Sequence, residues 1–128
     1  MEISTAPARD PLTERIIQCA IDVHQQLGLG LLENAYHAAL CVAFTAEGLS
    51  FVREPLIPLT YRGVRIGEYR PDLIVERQVV VEVKSVARYD PVFLAQMLTY
   101  LRVTGLHVGL LINFNKARLV DGIKRVSL

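Results

Sequence analysis

The chain has no tryptophan and only two cysteines among its 128 residues. Those two, Cys19 and Cys41, form no C-x-x-C pair, which argues against a zinc site. Both fall in predicted helices, where buried, reduced thiols are expected. No apolar run reaches the ~18 residues of a membrane span, so no membrane partner is expected. Met1-Glu2-Ile3-Ser4 lacks the basic and apolar regions of a signal peptide, which leads to the expectation of a cytoplasmic location. Repeats, low-complexity tracts and internal linkers are absent.

Hydrophobic residues make up 52% of the chain, enough for one packed domain at this length and too little chain for two. Net charge is only +1, but it is unevenly spread. Residues 1–50 hold two basic residues against six acidic, a net of −4, and residues 51–128 hold twelve against seven, a net of +5. The basic half suits a polyanionic partner mildly, without the strong footprint of an architectural DNA binder.

Residues 1–11 contain Pro7 and Pro11 and no periodicity, and read as a loose tail ahead of a single domain over 12–128. Thr13 is the expected cap of a first helix carrying Ile16, Ile17, Ala20, Val23, His24 and Leu27, ended by Gly28 and Gly30. A second helix is predicted over Leu31–Glu47, stopped by Gly48. The period then falls to two. Strands are expected at Phe51–Glu54, Leu56–Tyr61, Val64–Ile66, Tyr69–Glu76 and Val79–Ser85, with turns at Arg62-Gly63 and Arg77-Gln78. Asp90 caps a helix that starts at Pro91, runs to about Val103 and closes at Gly105. His107–Phe114 is nearly all apolar, as expected of a strand covered on both faces. A last hairpin, Arg118–Val120 with Ile123–Val126, is expected to turn at Asp121-Gly122. The crossover helix makes Val79–Ser85 and His107–Phe114 parallel neighbours, giving a mixed sheet flanked by helices.

Three ionisable groups stand out in this apolar setting. Asp72, preceded by Pro71, lies in the strand expected over Tyr69–Glu76, and Glu82 and Lys84 share one face of Val79–Ser85. A buried charge costs several kcal/mol unless it is paired or holds a metal. Folding the hairpin places Asp72 opposite positions 82–84. Two adjacent carboxylates repel unless a cation lies between them, and a hard divalent ion such as Mg²⁺ is the usual resident of an all-oxygen site. Lys84 can then stabilise developing phosphorane charge or orient a water. The plainer alternative is a cross-strand salt bridge. Glu33 sits in the first turn of the second helix, where the dipole favours a carboxylate, and shares a face with Tyr36. Gln96 and Tyr100, four apart, share another. His24 reads as a core histidine, and His37 and His107 fit no pattern with it. Arg53, Arg62, Arg65, Arg70, Arg88, Lys116 and Arg118 are candidates for a phosphate track. Asn113 and Asn115 are candidates for the site edge.

Gly30-x-x-Glu33-x-x-Tyr36 is the signature of the GxxExxY proteins, and the chain from about Leu12 to Val126 resembles that family. Supporting matches are His24-x-x-Leu27-Gly28-x-Gly30, Pro58-Leu59-x-Tyr61-x-Gly63, Leu111-Ile112-Asn113-Phe114 and Asp121-Gly122-Ile123-Lys124-Arg125. That group is similar to the PD-(D/E)XK nuclease superfamily. The resemblance implies a restriction-endonuclease-like α/β core, a mixed sheet between helices. It implies Asp72 and Glu82-x-Lys84 as the signature, Glu33 as the helix-borne acid of the metal site, and Gln96-x-x-x-Tyr100 as the Q-x-x-x-Y motif of RecB-like members.

The expected function is therefore a Mg²⁺- or Mn²⁺-dependent nuclease acting on nucleic acid, with DNA favoured over RNA. Glu33, Asp72 and Glu82 are its expected metal ligands, with the Val83 carbonyl as a further one. Lys84 is the group acting on water and transition state, supported by Gln96 and Tyr100. A catalytically inactive module that binds nucleic acid or a protein is the rival reading, because a bare core of this size offers little surface to a duplex; a homodimer would supply more. A third reading is a structural globule whose charges only form salt bridges.

Overall fold

The computed structural model describes residues 1–4 and 10–128. In chain order the elements are β1 (Glu2–Ser4), α1 (Pro11–Leu27), α2 (Glu33–Ala46), β2 (Phe51–Arg53), β3 (Ile57–Tyr61), β4 (Val64–Tyr69), β5 (Leu73–Val75), β6 (Val79–Lys84), α3 (Val92–Thr104), β7 (Val108–Asn113), a 3₁₀ turn at Leu119–Gly122 and β8 (Ile123–Ser127). Six strands form one sheet in the order β1-β8-β7-β6-β5-β2, while β3 and β4 pair separately. Strand β6 runs parallel to β7, with Val81 opposite Leu110 and Lys84 opposite Asn113, and the other pairs in this sheet are antiparallel. This is the mixed α/β architecture that the alternating helical and strand periods predict.

Alternation along β6 divides the core. Val79, Val81 and Val83 join α1 and α2 in one cluster, with Ile16, Tyr36, Leu40, Phe44, Leu110 and Ile112. Val80 joins α3 in the other, with Met97, Tyr100, Leu101 and Leu111. Glu82 and Lys84 have the parity of Val80, so both belong to the α3 face. Their strand is covered on both sides, which explains why a chain that needs two charges there surrounds them with valine.

Several sequence expectations shift in detail. Glu2–Ser4, expected in a loose tail, is an edge strand on β8, with Ile3 opposite Val126; residues 5–9 of that expected tail lie outside the described residues. Asp10 rather than Thr13 caps α1, accepting from the Leu12 N–H, while the Thr13 hydroxyl donates to the Asp10 carbonyl. Tyr69 ends β4 instead of opening the next strand, because Pro71 has no N–H to continue a ladder. The final hairpin does not form. Leu119 is buried in the core next to Ile123, so the chain curls there into the 3₁₀ turn, and β8 pairs with β7 and β1.

The turn between β5 and β6 sits at Glu76-Arg77, one residue earlier than expected. Both residues have positive φ, 52° and 56°, and the Gln78 N–H closes the turn on the Val75 carbonyl. Ordinary side chains pay a steric cost there. A neighbouring segment holds the turn: the Glu76 N–H donates to the Ser50 carbonyl, and the Glu76 carboxylate accepts from the Ser50 N–H and hydroxyl. That contact has no local sequence signal, which is why the turn lacks the Asn-Gly usual for this geometry.

Two glycines are set by close approach. A Cβ on Gly122 would run into the Asn113 carbonyl oxygen, and one on Gly109 would run into the Met97 side chain. Gly122→Ala is expected to destabilise the fold by about 1–3 kcal/mol, and Gly109→Ala by less, because a methionine side chain yields where a backbone carbonyl does not. Urea unfolding of the two variants checks the order; equal losses would contradict it.

Candidate active site

The open end of the β5–β6 hairpin is tied by two reciprocal hydrogen bonds. The Asp72 N–H donates to Glu82 Oε1 at 2.7 Å, and the Val83 N–H donates to Asp72 Oδ2 at 2.7 Å. Strand register makes this possible: Leu73 pairs with Val81, so Asp72 meets Glu82 one step further on. The Asp72 carbonyl is also engaged, accepting from the Glu54 N–H at 2.8 Å and from His37 Nε2 at 3.1 Å. The second contact requires the His37 proton on Nε2. With its N–H and C=O both bonded, Asp72 holds a fixed orientation.

Lys84 Nζ lies 3.8 Å from Glu82 Oε2 and 4.5 Å from the centroid of the Phe93 ring. Both charged side chains are largely withdrawn from water, at 17% and 5% exposure. Burial pushes the Glu82 carboxyl up to about 8, with the Asp72 charge as the next cause. Asp72 is also raised, again chiefly by burial, against the Val83 N–H and the His37 and Lys84 charges, which lower it. Glu33 raises both carboxyls.

Glu33 comes from the first turn of α2 and reaches the end of β6, where its Oε1 accepts from the Ser85 N–H at 3.2 Å. The Gly30-x-x-Glu33-x-x-Tyr36 spacing now has a structural role. The Tyr36 hydroxyl donates to the Gly28 carbonyl at 2.5 Å and accepts from the Leu31 N–H at 3.3 Å. Its ring stacks on Phe114 at 4.4 Å. Tyr36 thereby fixes the loop ahead of α2, and the Ser85 hydroxyl donates to Leu31 in that same loop. Gly30 takes φ of 94°, a conformation open to glycine.

Helix α3 brings Tyr100 to the same face. Tyr100 is buried and packs edge-on against Tyr69 at 5.8 Å. Burial raises its hydroxyl pKa, the Glu82 and Asp72 charges add to this, and Gln96 one turn earlier opposes it. The structure thus gathers Glu33, Asp72, Glu82, Lys84, Gln96 and Tyr100 around one end of β6. It adds His37 and Phe93, to which the sequence gives little weight. A lone histidine on a helix and a phenylalanine in an apolar helix carry no pattern. Asn113, a candidate for the site edge, stands opposite Lys84 in the β6–β7 register. His24 is a core histidine as expected, with Nε2 at 2.7 Å from the Lys116 carbonyl.

The donor set suits a hard divalent cation. Each carboxylate gives one oxygen to a backbone N–H, leaving Asp72 Oδ1, Glu82 Oε2 and Glu33 Oε2 without a backbone donor among the described residues. All the donors are oxygens, as Mg²⁺ and Mn²⁺ prefer. The site is open rather than a cage: among the described residues, no three His, Cys, Asp or Glu side chains close around a common point. Mg²⁺ commonly keeps several waters beside one or two carboxylates, so openness and donor chemistry agree.

The raised carboxyl pKa fixes a sign. In chelator the folded state holds the Glu82 proton more tightly than the unfolded state, so stability falls as pH rises from the ordinary carboxylate value of 4.5 towards the raised folded value. Glu82→Gln removes this slope. The melting temperature of Glu82→Gln relative to wild type is expected to rise steadily from about pH 5 to about pH 9. Parallel pH profiles for the two proteins would contradict the burial of this carboxylate.

Comparison with curated proteins and with solved structures finds no match. A family model described as the PD-(D/E)XK nuclease superfamily matches residues 10–126. That span holds Pro71-Asp72, Glu82-x-Lys84 and every element of the sheet except the edge strand β1 and the last residue of β8. Family match, fold and the hairpin that joins the acidic pair to the lysine agree: the chain belongs to the PD-(D/E)XK nuclease superfamily.

Proposed function

We propose that this chain is a divalent-metal-dependent nuclease of the GxxExxY type that hydrolyses nucleic-acid phosphodiester bonds, with DNA favoured over RNA. The observation that carries the reading is the reciprocal Asp72–Glu82 bonding with Lys84 Nζ 3.8 Å from Glu82 Oε2. A salt bridge alone needs neither the second carboxylate nor its anchoring at every backbone group. Asp72, Glu82 and Glu33 are the residues that would hold Mg²⁺ or Mn²⁺, with the Val83 carbonyl as a further ligand. Such an ion supplies Lewis-acid polarisation of a phosphoryl oxygen and a more acidic water.

The protein's own groups do the rest. Lys84 meets the charge that develops on the phosphoryl oxygens, and its desolvation strengthens that interaction. The Lys84 ammonium is held between the Phe93 ring, 4.5 Å away at its centroid, and Glu82 Oε2 at 3.8 Å. Tyr100 and Gln96 close the α3 side of the site. Tyr36 keeps Glu33 at the end of β6 through the loop it clamps. A homodimer goes with this reading. The β3–β4 hairpin exposes Tyr61, Val64 and Ile66, and one domain of this size buries less than a duplex interface needs. A cytoplasmic location is supported by two free, buried cysteines. Among the described residues no helix is long and apolar enough to cross a membrane.

The rival reading, a nuclease fold that only binds, is motivated by the small size of the chain and its near-neutral net charge of +1, which leave a bare core little surface to grip a duplex. A cleavage screen over single- and double-stranded DNA and RNA with Mg²⁺ or Mn²⁺ separates the two. The nuclease reading expects cutting that Lys84→Ala lowers by about 10²-fold or more, with its circular dichroism unchanged. Full activity in Lys84→Ala contradicts the role assigned to Lys84, and binding without cutting favours the rival.

A further inference from the structure

A second feature lies beside Lys84, on the side away from Asp72. A cavity of about 210 Å³ is bounded by Lys84, Tyr89, Phe93, Asn113, Lys116 and Lys124. Its lining carries three lysines and one carboxylate residue, Asp121. Tyr89 and Phe93 meet edge to face at 5.9 Å. Lys124 Nζ lies 3.4 Å from the Tyr89 ring centroid, and Lys84 Nζ lies over Phe93. Tyr89 is 39% exposed, so its ring is open to solvent at the cavity.

The cavity is built rather than incidental. The segment between β6 and α3 carries Tyr89, and Asn113 pins it. The Asn113 side-chain amide donates to the Val86 carbonyl at 3.0 Å, and its Oδ1 accepts from the Val86 N–H at 3.1 Å and the Asn115 N–H at 3.1 Å. This buried amide closes a two-way bond with one residue, so it fixes the path of the segment. At the other end, Asp90 Oδ1 accepts from the Val92 N–H and anchors the start of α3.

The lining selects a ligand that is flat, partly apolar and anionic. Aromatic rings beside clustered lysines are the combination by which proteins hold unstacked bases and their phosphates. The volume falls below the roughly 300–1,000 Å³ of pockets for drug-sized ligands, which suits a single nucleotide unit rather than a dinucleotide cofactor. A base inside a duplex presents only its edges, its faces being covered by neighbours, and has no free face to offer Tyr89 or Phe93.

We infer that this cavity is a subsite for one unpaired nucleotide, its base against Tyr89 and Phe93 and its phosphates met by Lys116 and Lys124, so that the chain prefers single-stranded or frayed nucleic acid to intact duplex. The inference rests on the nuclease reading for its substrate class. Lys84 joins the two features, so a strand seated here leads a phosphodiester past the carboxylates. Asn113 is a positioning residue that acts through the Tyr89 segment.

The test is fluorescence anisotropy with a short labelled oligothymidylate in EDTA, where binding is read without cleavage. Wild type is expected to bind, Tyr89→Ala to lose about tenfold in affinity and Tyr89→Phe to retain it. Lys116→Ala combined with Lys124→Ala should weaken binding and flatten its salt dependence. A blunt duplex should compete poorly. Failure of the wild type to bind, wild-type affinity in a folded Tyr89→Ala, or equal competition by duplex would each overturn the inference. If binding follows the expected pattern but Mn²⁺ yields no cutting of any nucleic acid, the nuclease reading falls and the subsite stands. If cutting depends on Lys84 but ignores both Tyr89 and strandedness, the subsite falls and the nuclease reading stands.

Discussion

The Asp72 N–H bonds to Glu82 and the Val83 N–H bonds to Asp72, and the rest of the site depends on this exchange at the end of one hairpin. It satisfies two backbone donors where the β5–β6 ladder stops, and it brings two carboxylates together inside an apolar sheet. Burial is the main cause of the upward shift of both carboxyls, and repulsion from Asp72 adds to it at Glu82. A fold keeps such a pair when a cation or a reaction offsets the repulsion. The cross-strand salt-bridge reading asks for one carboxylate and one lysine; it leaves Asp72 and the raised Glu82 without a purpose.

Around that pair the structure is a set of restraints that reach it from different parts of the chain. Ser50 holds the turn that sets the hairpin register. His37 and the Glu54 N–H hold the Asp72 carbonyl. Tyr36 holds the loop that delivers Glu33, and Phe93 with Glu82 holds Lys84. Asn113 joins β7 to the segment after β6. Both core clusters meet at β6, one through its valines at 79, 81 and 83 and the other through Val80. Rigid elements thus carry the charged groups and fix where each of them stands.

Much of this was legible in the sequence, for identifiable reasons. The change from helical to strand period, the glycines that end helices and the Asp90-Pro91 start are local signals, and they locate α1, α2, α3 and most strands. The crossover helix fixed the parallel β6–β7 pair. The parity of Glu82 and Lys84 places them on one face by strand alternation alone. What was not legible depends on contacts distant in sequence. The Glu76-Arg77 turn is held by Ser50, the 3₁₀ turn by burial of Leu119 in the core, and the β1 strand by the free edge of β8. His37 and Phe93 matter because of what they touch, and a single sequence carries no mark of that. The aromatic–lysine cavity brings together residues from β6, the segment after it, α3, β7 and β8, so no local motif announces it.

What most needs measuring is whether the carboxylates on this hairpin form a working cation site. A calorimetric Mn²⁺ titration of wild type beside Asp72→Asn tests it without any assumption about substrate. Saturable binding by the wild type, lost or greatly weakened in a folded Asp72→Asn, is the result the account predicts. A folded wild type that takes up no Mn²⁺ at millimolar concentration, or an Asp72→Asn variant that binds as tightly, would contradict it.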